Sequence, residues 1–140
     1  MRLAVLDTNV IVSAGIRTDG TPAELIRDWV IRGQVQLVCS PFVAAEYREV
    51  TRREKFQRYG FPPLWLEFVI EESLWLPEPA PWPISCPDAK DAPFLALAQV
   101  SGAWLVTENL KHFPESACDG VRVISPGEYL EHLGARSNAP

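Results

Sequence analysis

The stretch LAVLDTNVIVSAGI, Leu3 to Ile16, is apolar almost throughout, yet it carries Asp7, Thr8 and Asn9. Burying a lone charge is costly. Asp7 therefore either stands at the end of a buried strand for a chemical purpose or satisfies nearby backbone in a turn or cap. Leu3 to Leu6 are apolar on both faces, the pattern of a strand covered on both sides in a parallel sheet. An acid at the carboxyl end of such a strand narrows the fold before any other residue is read.

The rest of the chain repeats a short grammar. Thr21-Pro22-Ala23-Glu24 reads as a helix start with a Thr cap. Leu25, Ile26, Trp29 and Val30 supply its apolar stripe, and Gly33 ends it. VQLVC is a second strand. Ser40-Pro41 opens a helix that runs on into the basic segment REVTRREKFQR, and Pro62-Pro63 opens another through LWLEFVIEES. LWL offers a short strand. Pro77–Pro87 is too rich in proline for a helix or central strand and reads as an extended surface loop. DAKDAPFLALAQV makes a helix stopped at Ser101-Gly102, AWLVT and VRVIS are strands, and Ser125-Pro126-Gly127-Glu128 starts a last helix. Strands alternating with helices predict an α/β fold, a three-layer α/β/α sandwich around a central parallel sheet. The expected organisation is one domain over residues 1–134 and a flexible tail over 135–140.

With 140 residues, of which 47% are hydrophobic, the chain can bury one core. Its net charge of −5 excludes a generally basic nucleic-acid binder, so an anionic partner needs a local patch or a bound cation. Cys39, Cys86 and Cys118 are odd in number and share no CxxC spacing. They predict buried small hydrophobes in a reducing cytoplasm rather than a disulfide framework or zinc knuckle. The apolar run after Arg2 meets Asp7 too soon for a signal peptide, and no run is long enough for a membrane span.

In parallel α/β sheets the functional cleft lies at the carboxyl ends of the strands. Asp7 follows the first strand, and Glu108 and Asn109 follow WLVT. Asp88 and Asp91 begin the helix that feeds that strand, and Glu46 lies inside the second helix amid Val43, Ala44 and Ala45. Carboxylates gathered at one sheet edge repel unless a cation joins them. Oxygen ligands suit Mg²⁺ or Mn²⁺. Asp7 then reads as a metal ligand at the top of a buried strand.

LDTNVIVSAG, the acid in FVAAEYREV, DAKDAPFLALA and AWLVTENLKHFP, in that order, resemble the PIN-domain family, and within it the toxins of toxin–antitoxin pairs related to VapC-type ribonucleases. The resemblance runs from Arg2 to about Leu133. It implies a Mg²⁺- or Mn²⁺-dependent ribonuclease with Asp7, Glu46 and Asp91 as its catalytic acids and Asp88 as a further acid. The family's fourth acid falls on Asn109, a neutral donor, with Glu108 where a glycine usually stands. The implied metal set is Asp7, Asp91, Glu46, Asp88 and Asn109. Thr8, Asn9, Thr107 and Glu108 would orient those ligands. Arg48, Arg52, Arg53, Lys55 and Arg58 form a basic stretch suited to an RNA backbone, with Arg53 placed on the face of Glu46. Trp65, Trp82 or Phe61 could stack bases. A protein antitoxin in the cleft and a homodimer, with Trp65, Leu66 and Phe68 as one candidate face, complete the implied partners.

Plainer readings stand beside these. Asp88 or Asp91 could cap a helix, the basic stretch could be a solvated face, and the tryptophans could belong to the core. His112 and His132 are expected at the surface. Two other functions compete. A phosphatase of the haloacid-dehalogenase type needs a second Asp two residues after the first, where Asn9 stands, and a receiver domain needs acids that VCSPF and LDTN do not supply. A PIN-fold module that binds RNA or protein with weak catalysis remains open, Asn109 being its best argument.

Overall fold

The computed structural model describes residues 2–137, with side chains to residue 134. Strand β1 (Arg2–Leu6) leads through Asp7 into helix α1 (Thr8–Ile16). Helix α2 (Thr21–Glu24) widens into a π-helical segment, Leu25–Val30, before β2 (Val35–Cys39). Helix α3 (Pro41–Thr51), a 3₁₀ segment (Glu54–Tyr59), α4 (Leu66–Glu71) and β3 (Leu74–Trp75) follow. After the proline-rich loop, a 3₁₀ turn (Ala89–Asp91) enters α5 (Ala92–Ser101), then β4 (Trp104–Val106) and a second turn (Leu110–His112). Helix α6 (Glu115–Cys118), β5 (Val123–Ile124) and α7 (Pro126–Ser137) close the chain.

The five strands are all parallel, in the order β3-β2-β1-β4-β5. Helices flank the sheet in three layers, as the alternating pattern predicts. Helix α5 lies across β1, β2 and β4, and α1 packs on α2 and α3. Because β1 is central, Ala4, Val5 and Leu6 are fully buried, and the chain leaves the sheet toward β2 on one side and β4 on the other. This reversal point is where an open α/β sheet forms its crevice.

Local chemistry sets the helix ends. The Ser40 hydroxyl accepts from the Val43 amide at 3.3 Å, and the Ser125 hydroxyl accepts from the Glu128 amide at 3.2 Å. Both are caps expected from the Ser-Pro pairs. The first cap differs: Gly20, not Thr21, is the cap residue of α2. Gly102 stops α5 in the left-handed region, at φ 75°.

Three further sequence expectations need correction. Helix α1 has no counterpart in the sequence reading, because TNVIVSAGI is apolar around most of its circumference and β-branched, which hides the helical period. Helix α3 stops at Thr51 and Arg53 is extended (φ −62°, ψ 142°), so the basic segment does not continue the helix. Leu66 is buried and belongs to the core, leaving Phe68 exposed and Trp65 half-buried beside it. Helix α7 runs to Ser137, and residues 138–140 of the expected tail lie outside the described range. Cys39, Cys86 and Cys118 are free, Cys39 and Cys118 being buried. Among the described residues no helix is long and apolar enough to cross a membrane.

The loop after α3 packs back onto α1. The Phe61 ring centroid lies 5.4 Å from that of Phe56 and 6.3 Å from that of Tyr59. A Cβ at Gly15 would sit 2.6 Å from the Phe61 ring and 2.9 Å from Pro63 Cγ. Gly15→Ala should therefore destabilise the fold by about 1–3 kcal/mol through overpacking, read as a lower urea midpoint at unchanged slope.

Candidate functional site

Asp7 is 7% exposed at the carboxyl end of β1, and its amide donates to the Val106 carbonyl, so the sheet ladder extends to it. One oxygen, Oδ2, accepts from the Thr107 hydroxyl at 2.8 Å and from Asn9 Nδ2 at 3.3 Å. Asn9 Nδ2 also reaches Thr107 Oγ1 at 3.3 Å, and Asn9 Oδ1 accepts from the Glu108 amide at 3.2 Å. The Asn109 amide donates to Thr107 Oγ1 at 3.0 Å. Thr107 is fully buried. The network thus ties the ends of β1 and β4 together and fixes one face of the Asp7 carboxylate.

Asp91 is also 7% exposed, at the junction of the 3₁₀ turn and α5. It makes no side-chain capping bond to α5, whereas Asp88 accepts from the Lys90 amide at 3.0 Å. The cap reading therefore holds for Asp88 and leaves the Asp91 carboxylate for something else. Oδ2 of Asp91 meets His112 Nδ1 at 3.0 Å. His112 is half-exposed and faces this cleft, a placement that its sequence neighbours do not reveal. Its signal was weak: a 3₁₀ turn, not a regular period, folds it back from Asn109. Ligand atoms of Asp88, Asp91 and His112 lie within 4.8 Å of one another, a spread one ion can bridge.

Burial pushes the Asp7 carboxyl above its ordinary range despite the Thr107 hydrogen bond. Asp91 is raised from 3.8 to about 6, first by burial and then by the charge of Asp7, with His112 opposing. Glu46, half-buried on α3, is raised by burial and by Glu49, with Lys90 and Arg53 opposing; Asp7 adds a smaller upward push. Asp7, Glu46, Asp88 and Asp91 are thus gathered closely enough to feel one another, with too little positive charge to balance them. Thr8 Oγ1 is the buried side-chain oxygen without a hydrogen-bond partner among the described residues, and it adjoins Asp7. Surplus carboxylates, an imidazole and an unpartnered hydroxyl fit a divalent cation with water ligands.

Other expected residues are placed differently. Glu108 is exposed and accepts from the Ser13 hydroxyl. Asn109 is half-buried at the start of the His112 turn. Arg48 donates to both carboxylate oxygens of Glu67, at 3.0 and 2.8 Å. Arg53 pairs with Glu49 at 3.0 Å just past the end of α3, near enough to Glu46 for its charge to oppose the upward push on that carboxyl. Lys55 and Arg58 lie over the rings of Phe56 and Tyr59, and Arg52 is exposed. Such exposed pairs are worth little and can exchange for phosphate. Trp82 donates to the Ala117 carbonyl at 2.9 Å, and Trp65, Trp82 and Trp104 pack against the core.

A PIN-domain family model matches residues 3–111, which span the first strand, the acids and the His112 turn's start. The chain belongs to the PIN-domain family. Solved structures share this PIN fold at low identity. VapBC2 from Rickettsia felis, bound to a promoter DNA fragment, is 16% identical with a TM-score of 0.60, covering 88% of this chain and 98% of that one. DNA-bound VapBC from Salmonella typhimurium is 17% identical, TM-score 0.61, covering 90% and 99%. FitAcB from Neisseria gonorrhoeae is 20% identical, TM-score 0.57, covering 89% and 98%. No curated protein sequence matches the chain significantly.

The carboxylate pair has a measurable consequence for this PIN domain. The folded pKa of Asp91 lies above its unfolded value, so the native state takes up that proton first as pH falls. Ionised Asp91 therefore weakens the metal-free fold above about pH 6, and the penalty is relieved as pH falls toward 3.8. Asp91→Asn should stabilise EDTA-treated protein at neutral pH by about 1–3 kcal/mol. The gap should close in acid, as followed by thermal denaturation across pH.

Proposed function

We propose that this PIN domain is a Mg²⁺- or Mn²⁺-dependent endoribonuclease and the toxin of a toxin–antitoxin pair. The observation that carries the reading is the buried, mutually repelling pair Asp7 and Asp91, with Glu46 beside them, at the carboxyl edge of the central strand. Asp7 and Asp91 would hold the cation, with Glu46 and Asp88 completing the acidic rim and Asn109 as a neutral donor. A bound divalent ion lowers the pKa of a coordinated water and offsets phosphate charge. Glu46, at the rim of that site, would orient the attacking water in line with phosphorus. The bond to the 3′ oxygen breaks, the leaving oxygen takes up a proton, and the products carry a 5′-phosphate and a 3′-hydroxyl. Thr107 and Asn9 fix the Asp7 rotamer through the bonds to Oδ2. Thr8 and Glu108 lie next to those groups. Arg48, Arg52, Arg53, Lys55 and Arg58 line the approach for the RNA backbone, a local basic segment on an acidic protein.

Of the similar VapBC and FitAcB structures, the two VapBC ones are bound to DNA. That likeness supports a cognate antitoxin covering the cleft; a homodimer and a cytoplasmic setting complete the proposal. One observation favours a second reading: Asn109 stands where the family's fourth acid is expected, which suits a PIN module that binds RNA or protein with little turnover.

Labelled single-stranded RNA, incubated with wild type and Asp7→Asn in Mn²⁺, Mg²⁺ or EDTA, separates the two. The nuclease reading expects cleavage by wild type alone, abolished by EDTA, with Asp7→Asn slower by about 100-fold or more. RNA bound but uncut by both proteins in either metal would support the binding module instead.

A further inference from the structure

We infer that His112 is a nitrogen ligand of the metal site, taking the place that Asn109 leaves weak, and that the site therefore prefers Mn²⁺ to Mg²⁺. The inference rests on the metal-site reading above and names the ion that site selects.

The geometry points to the imidazole rather than the amide. Asn109 and His112 begin and end one 3₁₀ turn, so the chain brings a second donor into the cleft three residues after the first. His112 Nδ1 lies 3.0 Å from Asp91 Oδ2, and Asp88 supplies a third donor within 4.8 Å of both. Neighbouring donors on an ion with bonds of about 2.1 Å are spaced by about 3.0 Å. Nδ1 is therefore at ligand spacing from Asp91 without moving. In the tautomer protonated at Nε2, Nδ1 presents its lone pair to that space. The His112 side chain is 40% exposed, so solvent reaches the ring. The turn is also anchored: its first amide, that of Asn109, is bonded to Thr107 Oγ1, which in turn holds Asp7. One network thus sets the imidazole against both principal acids.

The chemistry then decides the ion. Mg²⁺ keeps oxygen ligands and gives up water reluctantly, so an imidazole adds little to its binding. Mn²⁺ accepts nitrogen donors more readily among the oxygen-binding ions. Exchanging a carboxylate position for a neutral imidazole also lowers the negative charge that a purely electrostatic Mg²⁺ site uses.

The test reads the bound metal directly. Electron-spin-echo spectroscopy of Mn²⁺ bound to the wild-type protein should show coupling to an imidazole nitrogen, and H112Q should lose it. Calorimetry should show Mn²⁺ affinity falling by about tenfold or more in H112Q. Mg²⁺ affinity should change by less than about threefold. Bound Mn²⁺ without nitrogen coupling in the wild type would overturn the inference and leave the acid site standing. Equal losses for both ions in H112Q would also overturn it, making His112 a positioning group for Asp91. No Mn²⁺ binding by the wild type would overturn the metal-site reading itself. The wild-type spectrum does not depend on any variant folding.

Discussion

The hydrogen bond from the Thr107 hydroxyl to Asp7 Oδ2 is the contact around which the site is built. It joins the carboxyl ends of β1 and β4, the two strands on either side of the crevice. It occurs only because β1 is central and parallel to β4, so that residue 7 and residue 107 emerge at one height. The bond also holds a carboxylate that burial would otherwise expel or neutralise. Burial still wins, and the Asp7 pKa stays raised. The site is therefore prepared for a cation at the expense of the stability of the empty fold, a pattern common where function is concentrated.

Helix α3 is fastened to the same strand end. The Tyr47 hydroxyl, fully buried, donates to the Leu6 carbonyl, one residue before Asp7. Glu46 precedes Tyr47, and consecutive residues on a helix point about 100° apart. Seating Tyr47 in the core therefore sets Glu46 at the rim, half-buried, where Asp7 can influence it. A core contact that looks purely structural thus determines the depth of a candidate catalytic acid. On the opposite wall, one Asp88 oxygen caps the turn that delivers Asp91, while Asp91 makes no capping bond of its own to α5.

Much of this was legible in the residues. Leu3–Leu6 announced a buried strand, the Ser-Pro pairs at 40–41 and 125–126 announced capped helices, and ordered acids announced one sheet edge. What escaped did so for specific reasons. The β-branched, evenly apolar sequence of α1 carries no helical period. Leu66 and Phe68 look alike as apolar residues, and only packing turns one inward and one outward. The basic segment after Arg53 leaves the helix because the backbone turns extended at that residue, and nothing in TRRE marks the break. The role of His112 is hidden in the sequence because its partner, Asp91, is 21 residues away and reached by a non-periodic turn.

The sequence by itself determined the alternation of strands and helices, the parallel sheet and the acids at strand and helix ends, because those follow from local periodicity and capping chemistry. The PIN family membership follows from the same ordered motifs. Only the tertiary structure decided which donors share a cleft. Asp7 with Thr107, and Asp91 with His112, are contacts across the sheet edge and between loops, and their distances depend on strand order and loop closure rather than on spacing along the chain.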